Sequence, residues 1–538
     1  MLKRALILLA LAATIALPFM MRPHRERAAK ADDTLVIITP HNEAIRHEFS
    51  RAFQDWYLTK TGRTVAIDWR VIGGTSEIAR FLESEYVSSF QNYWSNKLGR
   101  DWSIDVQSAF ANRRLEADAS AVAKEARATF LASEVGCGID LFFGGGSYDF
   151  IRQAQAGRLI PSRIFKTHPE WFQEDTIPAT FAGEQYWDEE GRWIGNVLSS
   201  YGILYNKDSI RRLGVEPAPT EWKDLMNPKL IGEVALCDPT KSGSIAKAFE
   251  NLIQQQMQIR LRALVRAKGG LKTNAIENQA VREGWAEGMR ILRFLGANAR
   301  YFTDSSQKPP IDVSQGNSAA GVCIDFYGRY QAEAVQRRDE SGRLVYVTPR
   351  GGTVSSVDPI GILRGAVNLE AAEEFIEFTL SMEGQLLWNF QVGTPGGPER
   401  FALRRLPVRR DYYAHNEWRQ YRSDPDSEPY VGEDPLIYEP AWTGRLFREM
   451  AFGIRVMCLD THLELVEAWK AIIAAGMPPE AMAVFNDTSV LSYDQMLGPI
   501  KAALGAKNKV EEVHLANDLG AKLRAQYRHA ADLARQGK

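Results

Sequence analysis

The chain has 538 residues, enough for two or three ordinary domains that each bury a core of their own. Charged residues at 25% and hydrophobic ones at 45% are globular values, which excludes a disordered or fibrous chain. Sixty-five Lys and Arg stand against 67 Asp and Glu, so no global basic field exists and nucleic acid is excluded as the expected partner.

The first thirty residues read apart from the rest. Lys3-Arg4 precedes an apolar run over 5–21, and Ala29-Lys30-Ala31 comes after it, a pattern that predicts a secretory signal over 1–31. The alternative is an uncleaved N-terminal anchor, because the run is nearly long enough to span a bilayer and 22–30 is unusually basic. This segment holds six basic residues and one acidic, so the chain from residue 32 onward is net acidic.

Residues 35–39 (LVIIT) are a short β-branched run ended by Pro40, which predicts a buried parallel strand. A helix follows over 43–60, with Ile45, Phe49, Phe53 and Trp56 along one face, and 65–71 resumes as strand. A β-α-β start with a crossover of helical length argues for a parallel sheet with helices on its faces. Ligands of such sheets sit at the carboxyl ends of the strands, which puts Thr39, His41, Gly74 and Thr75 on one rim. A helix is expected over 76–85. After it, 86–135 is helical and aromatic (Phe90, Tyr93, Trp94, Trp102) and reads as an insert that covers a flank of the first lobe or meets a partner.

Residues 139–143 form another short strand, ending in Gly144-Gly145-Gly146-Ser147. Glycines at a strand end admit close approach of backbone to ligand, and a tight strand-to-helix turn explains them equally well. No dinucleotide or phosphate-loop spacing accompanies them. Residues 193–206 alternate as a strand pair or one long strand. A strand over 233–237 then breaks at Asp238-Pro239, and apolar positions Ile245, Ala248, Phe249, Leu252 and Ile253 recur at helical spacing from Ser244 onward. Ser242 or Ser244 suits the N-cap. The amides of Gly243 and Ser244, backed by the helix dipole, then face an anion-friendly corner.

The Trp222 stretch with Asp-Leu, Asn-Pro-Lys, a strand and Asp-Pro-x-x-Ser-Gly resembles the extracellular solute-binding proteins, family 1, of bacterial ABC importers. Further landmarks stand in the family's order: the strand 35–39, Gly73-Gly74-Thr75, the glycines 144–146, Tyr205-Asn206, and Ser381-Met382-Glu383-Gly384-Gln385. The resemblance covers about residues 33–400 with interruptions. It implies an α/β, two-lobed periplasmic binding protein type II fold, with lobe 1 over 32–200 and 345–400, lobe 2 over 201–344, and a helical extension over 401–538. Ser199, Ser200 and Tyr201 would then lie in the hinge, and a loop carrying Asp325 and Tyr327 would hang over the cleft. The implied function is capture of a small solute in the periplasm and delivery to a membrane permease and its ATPase.

The candidate rim, Thr39, Thr75, Gly145, Ser147, Ser199, Ser200, Ser242, Gly243 and Ser244, favours an anionic or polyhydroxyl solute. His41, Asp325, Tyr327 and Tyr201 suit ferric iron as a second option, although the adjacent tyrosine pair of ferric-binding members is Phe326-Tyr327 here. Each has a plainer reading too: His41 as a cap, Asp325 as the partner of Arg329, Tyr327 as an aromatic lid, and Lys241 solvated. No G-x-S-x-G elbow or H-E-x-x-H is present, so no enzyme is expected. Neither a cofactor nor a resident metal is expected, since Cys137, Cys237, Cys323 and Cys458 are scattered without metal-ligand spacing. They are disulfide partners if the protein is exported, or small buried apolar residues. The odd N-terminus, the 86–135 insert and the long C-terminal part also admit a membrane-tethered sensor or scaffold.

Overall fold

The computed structural model describes residues 31–113, 115–431, 435–505 and 509–538. The signal or anchor read over 1–31 therefore lies outside the described residues, save Ala31. No helix among the described residues is long and apolar enough to cross a membrane.

Two sheets organise the chain into two lobes. The larger takes β1 (Asp33–Ile38), β2 (Val65–Arg70), β3 (Leu141–Phe143), β4 (Leu159–Ile160), β7 (Ile194–Ser199), β13 (Ser356–Leu363) and β14 (Leu406–Pro407), with β5 (Thr180–Phe181) and β6 (Glu184–Gln185) as a separate hairpin. The smaller runs β10-β9-β11-β8-β12, from β8 (Tyr201–Asn206), β9 (Val234–Cys237), β10 (Ala299–Thr303), β11 (Ala320–Ile324) and β12 (Leu344–Val347). β1 pairs in parallel with both β2 and β3, as the β-α-β reading expects. The chain passes between the sheets at Ser200, from β7 into β8, and again between β12 and β13. Residues 344–347 depart from the expected return toward lobe 1. β12 pairs antiparallel with β8, Leu344 opposite Asn206, so the return falls after Val347.

Helix α1 (Glu43–Thr61) starts under the Asn42 side chain, which caps the Ile45 amide, and ends at Gly62 in the left-handed conformation, φ 72°. It buries Ile45, Phe49 and Phe53 against the sheet, with Phe53 and Phe375 4.9 Å apart edge to face. α2 (Thr75–Asn92) runs a full turn and more past the expected 76–85, because Tyr86 and Phe90 continue its apolar stripe. The insert then folds back through α3 (Ile104–Ala109) and α4 (Ala121–Ala132), stacking Phe90 on Phe110 at 4.8 Å and setting Phe110 edge-on to Phe130 at 5.0 Å. It is fastened to the large lobe: Tyr86 donates to the Arg364 carbonyl at 2.8 Å and Arg127 to that of Gln155 at 3.0 Å. Burying each of these rings contributes roughly 2–3 kcal/mol.

α5 (Ser147–Ala156) follows the glycines on the large lobe. The small lobe carries α6 (Gly243–Ala267), α7 (Asn274–Asn298) and α8 (Asp325–Asp339). α9 (Leu369–Leu380) and α10 (Met382–Asn389) return to the large one. The extension past 401 is not helical at its start, since β14 pairs with β7 along the edge of the large sheet. Its later helices, α11 (Phe447–Ile454), α12 (His462–Ala474), α13 (Pro479–Asn486) and α14 (Lys509–Arg535), cover α7. There Trp285 donates to the Leu491 carbonyl at 2.8 Å, the fully buried Arg293 to that of Asp487 at 2.8 Å, and Trp469 to Asn298 Oδ1 at 2.9 Å. A Cβ on Gly296 would stand 2.7 Å from Cys458 Sγ, so only glycine lets the two helices meet this closely. All four cysteines are free thiols, and Cys237, Cys323 and Cys458 are buried.

Candidate functional site

Three helices begin where the lobes meet. α2 starts from Gly74, α5 from Gly146 and α6 from Ser242, whose hydroxyl accepts from the Ile245 amide at 3.3 Å. The first-turn amides of a helix have no partner within it and carry the positive end of its dipole. The approaches are close. A Cβ on Gly145, at φ 112°, would collide with the Thr75 side chain, and one on Gly74 would stand 2.5 Å from the Lys241 carbonyl oxygen across the cleft. A Cβ on Gly243 would sit 3.1 Å from Asp149 Oδ2 and 3.7 Å from Thr75 Cβ. Lys241 also reaches Glu77 at 3.4 Å, and Arg80 donates to the Thr240 carbonyl at 3.3 Å. The lobes are therefore in contact along this line. Ser147 opens the first turn of α5, and Ser244 is half-buried in that of α6.

A second cluster lies at the floor. Arg405, fully buried at the start of β14, donates to Asp358 Oδ2 at 2.7 Å, to the Ser199 hydroxyl, and to His41 Nε2 at 3.1 Å. A guanidinium only donates, so His41 presents the lone pair of Nε2 and keeps its proton on Nδ1. That Nδ1 is buried without an acceptor. Burial pushes the imidazole below its usual range, the Arg405 charge adds to this, and Asp358 opposes it. Burial would raise the Asp358 carboxyl, but Arg405 and His41 outweigh it and hold it low. The guanidinium also lies 4.4 Å over the Phe326 ring of the small lobe. Thr39 is buried beneath, its hydroxyl accepting from the His41 amide at 3.0 Å.

A third cluster spans the lobes. Lys247 of α6 meets Glu184 of β6 at 2.6 Å and Glu250 at 3.0 Å, with its ammonium 3.3 Å over the Tyr438 ring. Tyr438 donates to Glu250 at 2.9 Å through its hydroxyl and to the Ala182 carbonyl at 2.8 Å through its amide, so residues 438–443 strap the hairpin to α6. Thr443 and Gln254 complete the strap.

Of the residues expected at the site, Gly74, Thr75, Gly145, Ser147, Ser242, Gly243 and Ser244 gather at the helix starts, while Thr39, His41 and Ser199 gather at the floor. Ser200 and Tyr201 lie at the first crossing. The Ser200 carbonyl accepts from the Asp325 amide at 2.9 Å, and the Tyr201 amide donates to Thr353 Oγ1 at 3.0 Å. Asp325 and Tyr327 are placed differently from the expected loop, because 325–328 form the first turn of α8. Asp325 is buried and engaged by Arg329, 2.7 Å away, and by the Phe326 amide. Tyr327 packs on Phe326 at 4.1 Å, and burial drives its phenol up. Sequence reasoning missed Arg405, Asp358, Lys247, Glu184 and Asp149. Only the Lys247–Glu250 spacing on a helix and the acid in the first turn of α5 could have pointed to any of them.

Residues 139–404 match the model of the bacterial extracellular solute-binding proteins. That stretch is a bacterial extracellular solute-binding domain. Parts of the chain are also similar to curated proteins. An uncharacterised protein of Haemophilus influenzae is 27% identical over 251 residues, 46% of this chain and 60% of its own length. The phosphoglycerate transport regulatory protein PgtC of Salmonella typhimurium is 21% identical over 194 residues, 36% of this chain and 39% of its own length. The chain thus spans about two to three fifths of the length of these relatives. Among solved structures, the periplasmic binding protein AfuA from Actinobacillus pleuropneumoniae, described with fructose-6-phosphate bound, aligns at 17% identity and a TM-score of 0.47, covering 81% of this chain and 98% of that one. Iron-bound HitA from Pseudomonas aeruginosa aligns at 16% and 0.46, covering 78% and 99%. Arg405 lies directly past the end of the solute-binding domain as the family model bounds it.

Proposed function

We propose that the protein is an extracytoplasmic solute receptor of an ABC importer that binds an anionic organic solute between its lobes and delivers it to a membrane permease. The carrying observation is the convergence of the α2, α5 and α6 N-termini on one interlobe line, where first-turn amides and dipole ends favour negative charge. The Nδ1–H of His41, buried without an acceptor, is a further donor at the floor. The name of the Salmonella relative, a phosphoglycerate transport regulator, agrees with such a solute.

Ferric iron is less well supported. Its expected ligands are already engaged, Asp325 by Arg329 and His41 by the Arg405 cation, and a cation beside the floor repels a metal ion. Closure of two lobes over a solute is a hinge motion that a permease can distinguish from the open form. Export to the periplasm, by cleavage or by an N-terminal tether, belongs to the same reading.

A thermal-shift screen of the purified full chain against sugar phosphates, phosphoglycerates, phosphonates, carboxylates, polyamines and ferric citrate tests this. A solute at a hundredfold its Kd adds about 2.7 kcal/mol of stability. A shift with a phosphorylated or carboxylated solute supports the reading, and a shift with ferric citrate alone replaces it with iron capture. No shift with any of them favours a sensor or scaffold.

A further inference from the structure

The far end of the α6–α7 hairpin leaves the small-lobe core. The two helices pack tightly up to Met257, where a Cβ on Gly284 would stand 2.3 Å from Met257 Cα. From there every residue of 258–279 is half-buried or exposed. The rest of α6 carries the hairpin about 15 Å further, at 1.5 Å per residue. The turn at its tip is well built. Gly269 is left-handed at φ 65°, its amide donates to the Arg266 carbonyl at 3.2 Å and the Gly270 amide to that of Val265 at 2.9 Å, which closes the end of α6. The Thr273 hydroxyl accepts from the Ile276 amide at 3.3 Å and starts α7. Between these two caps Leu271 is held 61% exposed, with exposed Lys268 and Lys272 on either side of it in the chain.

The charge of this tip is one-sided. From residue 251 to residue 276 the chain has no Asp or Glu, yet it carries Arg260, Arg262, Arg266, Lys268 and Lys272. Helix α7 answers two of them, through Glu283 on Arg260 and Glu277 on Lys272 at 3.5 Å. Arg262, Arg266 and Lys268 are exposed, and among the described residues their side chains make no hydrogen bond or ion pair. An ordinary solvated face mixes its signs, as α12 and α14 do with Arg528 on Glu464 and Arg535 on Glu467. We infer that the tip of the α6–α7 hairpin is a contact site for an anionic lipid surface, with Leu271 entering the interface and the unpaired cations meeting headgroup phosphates. A leucine at the apex with lysines beside it suits a bilayer boundary, because the apolar side chain enters the acyl edge while the long cationic ones reach back to the headgroups. An acidic protein face would match the charges and leave Leu271 without a role. Each cation near an anionic leaflet is worth roughly a fivefold gain in partitioning, so the three unpaired ones give on the order of a hundredfold. The inference goes beyond the receptor reading and stands without it.

The test is hydrogen–deuterium exchange of the full chain with vesicles of phosphatidylcholine and with vesicles of an equal mixture of phosphatidylcholine and phosphatidylglycerol. Exchange reads the tip separately from the N-terminal run: if that run anchors the chain to both kinds of vesicle, the difference in tip protection between them is still measured. Slower exchange over 259–273 is expected on the anionic vesicles alone, and high salt should reverse it. In the triple variant Arg262→Gln, Arg266→Gln, Lys268→Gln the lipid needed for half-protection should rise on the order of a hundredfold. Leu271→Ser should raise it roughly tenfold, the worth of one buried leucine. All four side chains are exposed, and an unchanged thermal midpoint checks that the variants fold. No tip protection on anionic vesicles overturns the inference, as does equal protection on both kinds or protection that the triple variant keeps. Leu271→Ser binding like the wild type, or protection by polyglutamate but not by vesicles, overturns the lipid assignment in favour of an acidic protein face. None of these outcomes touches solute binding, which the thermal-shift screen decides by itself.

Discussion

Lys247 and Glu184 meet at 2.6 Å although one rides on α6 of the small lobe and the other on a hairpin beside the large sheet. The pair is sealed by Tyr438, which arrives from beyond the solute-binding domain. Burial alone would pull the ammonium's pKa down, but Glu184 and Glu250 reverse this and hold it well above the usual value. Any parting of the lobes at this edge has to break a buried ion pair and lift the 438–443 strap.

Lys247→Met is therefore expected to cost on the order of 3–5 kcal/mol, because it strands two carboxylates in a buried site. Urea denaturation should show the loss. Adding Glu184→Gln and Glu250→Gln should recover most of it, since neutral side chains remove the stranded charge. A triple variant as weak as the single one would mean that the strap's packing, and not the charges, holds this edge.

Gly74 abuts the opposite lobe through bare backbone. Gly74→Val puts side-chain carbons into the space of the Lys241 carbonyl, 2.5 Å from its Cβ, and does so outside either core. The expected outcome is a folded protein with its lobes held apart: a larger radius of gyration by small-angle scattering and loss of solute binding, with a thermal midpoint close to wild type. An unchanged radius would show that the cleft yields elsewhere.

At the floor, Arg405 is the counter-charge of a carboxyl that would otherwise be buried alone. Removing it by Arg405→Ala should cost about 2–5 kcal/mol at neutral pH. The Asp358 carboxyl is depressed in the folded protein. Its contribution is thus present above the ordinary carboxylate pKa and is lost as pH falls through the depressed one. The gap between variant and wild type should shrink below about pH 4. Denaturant titrations at pH 7 and pH 3.5 check this, and a gap that stays constant would assign the loss to packing of the guanidinium on Phe326 and on Trp388, whose ring it faces at 5.3 Å.

The sequence makes the lobes legible because short buried strands and amphipathic helices announce themselves locally. Phe49 and Phe53 reveal the inner face of α1 by spacing alone. Ser242 and Gly243 mark a helix start by their own chemistry. The hidden part depends on pairs far apart in the chain. Nothing near Arg405 tells that His41, 364 residues earlier, will accept from it, and Glu184 does not signal Lys247. The first turn of α8 reads as a loop because Asp325-Phe326-Tyr327-Gly328 contains no helical stripe, and tertiary packing of Phe326 decides its conformation. The strand β12 is ambiguous for a similar reason: a four-residue apolar run fits either sheet, and only its pairing with β8 chooses the small one.

Asp149 is destabilising when no solute is bound. Its folded pKa of about 6 lies above the ordinary value of 3.8, so the native state holds its proton more tightly than the unfolded chain. Between those two values the folded protein binds more protons, and stability therefore falls as pH rises from the lower to the higher. At neutral pH the ionised carboxyl should cost on the order of 2–3 kcal/mol. Asp149→Asn is then expected to raise the thermal midpoint of the solute-free protein at pH 7.5 and to lose that advantage by pH 4, where both forms are neutral. Thermal unfolding at the two pH values measures it. An amide variant that is less stable than wild type at pH 7.5 would mean that the carboxylate has a partner at that pH.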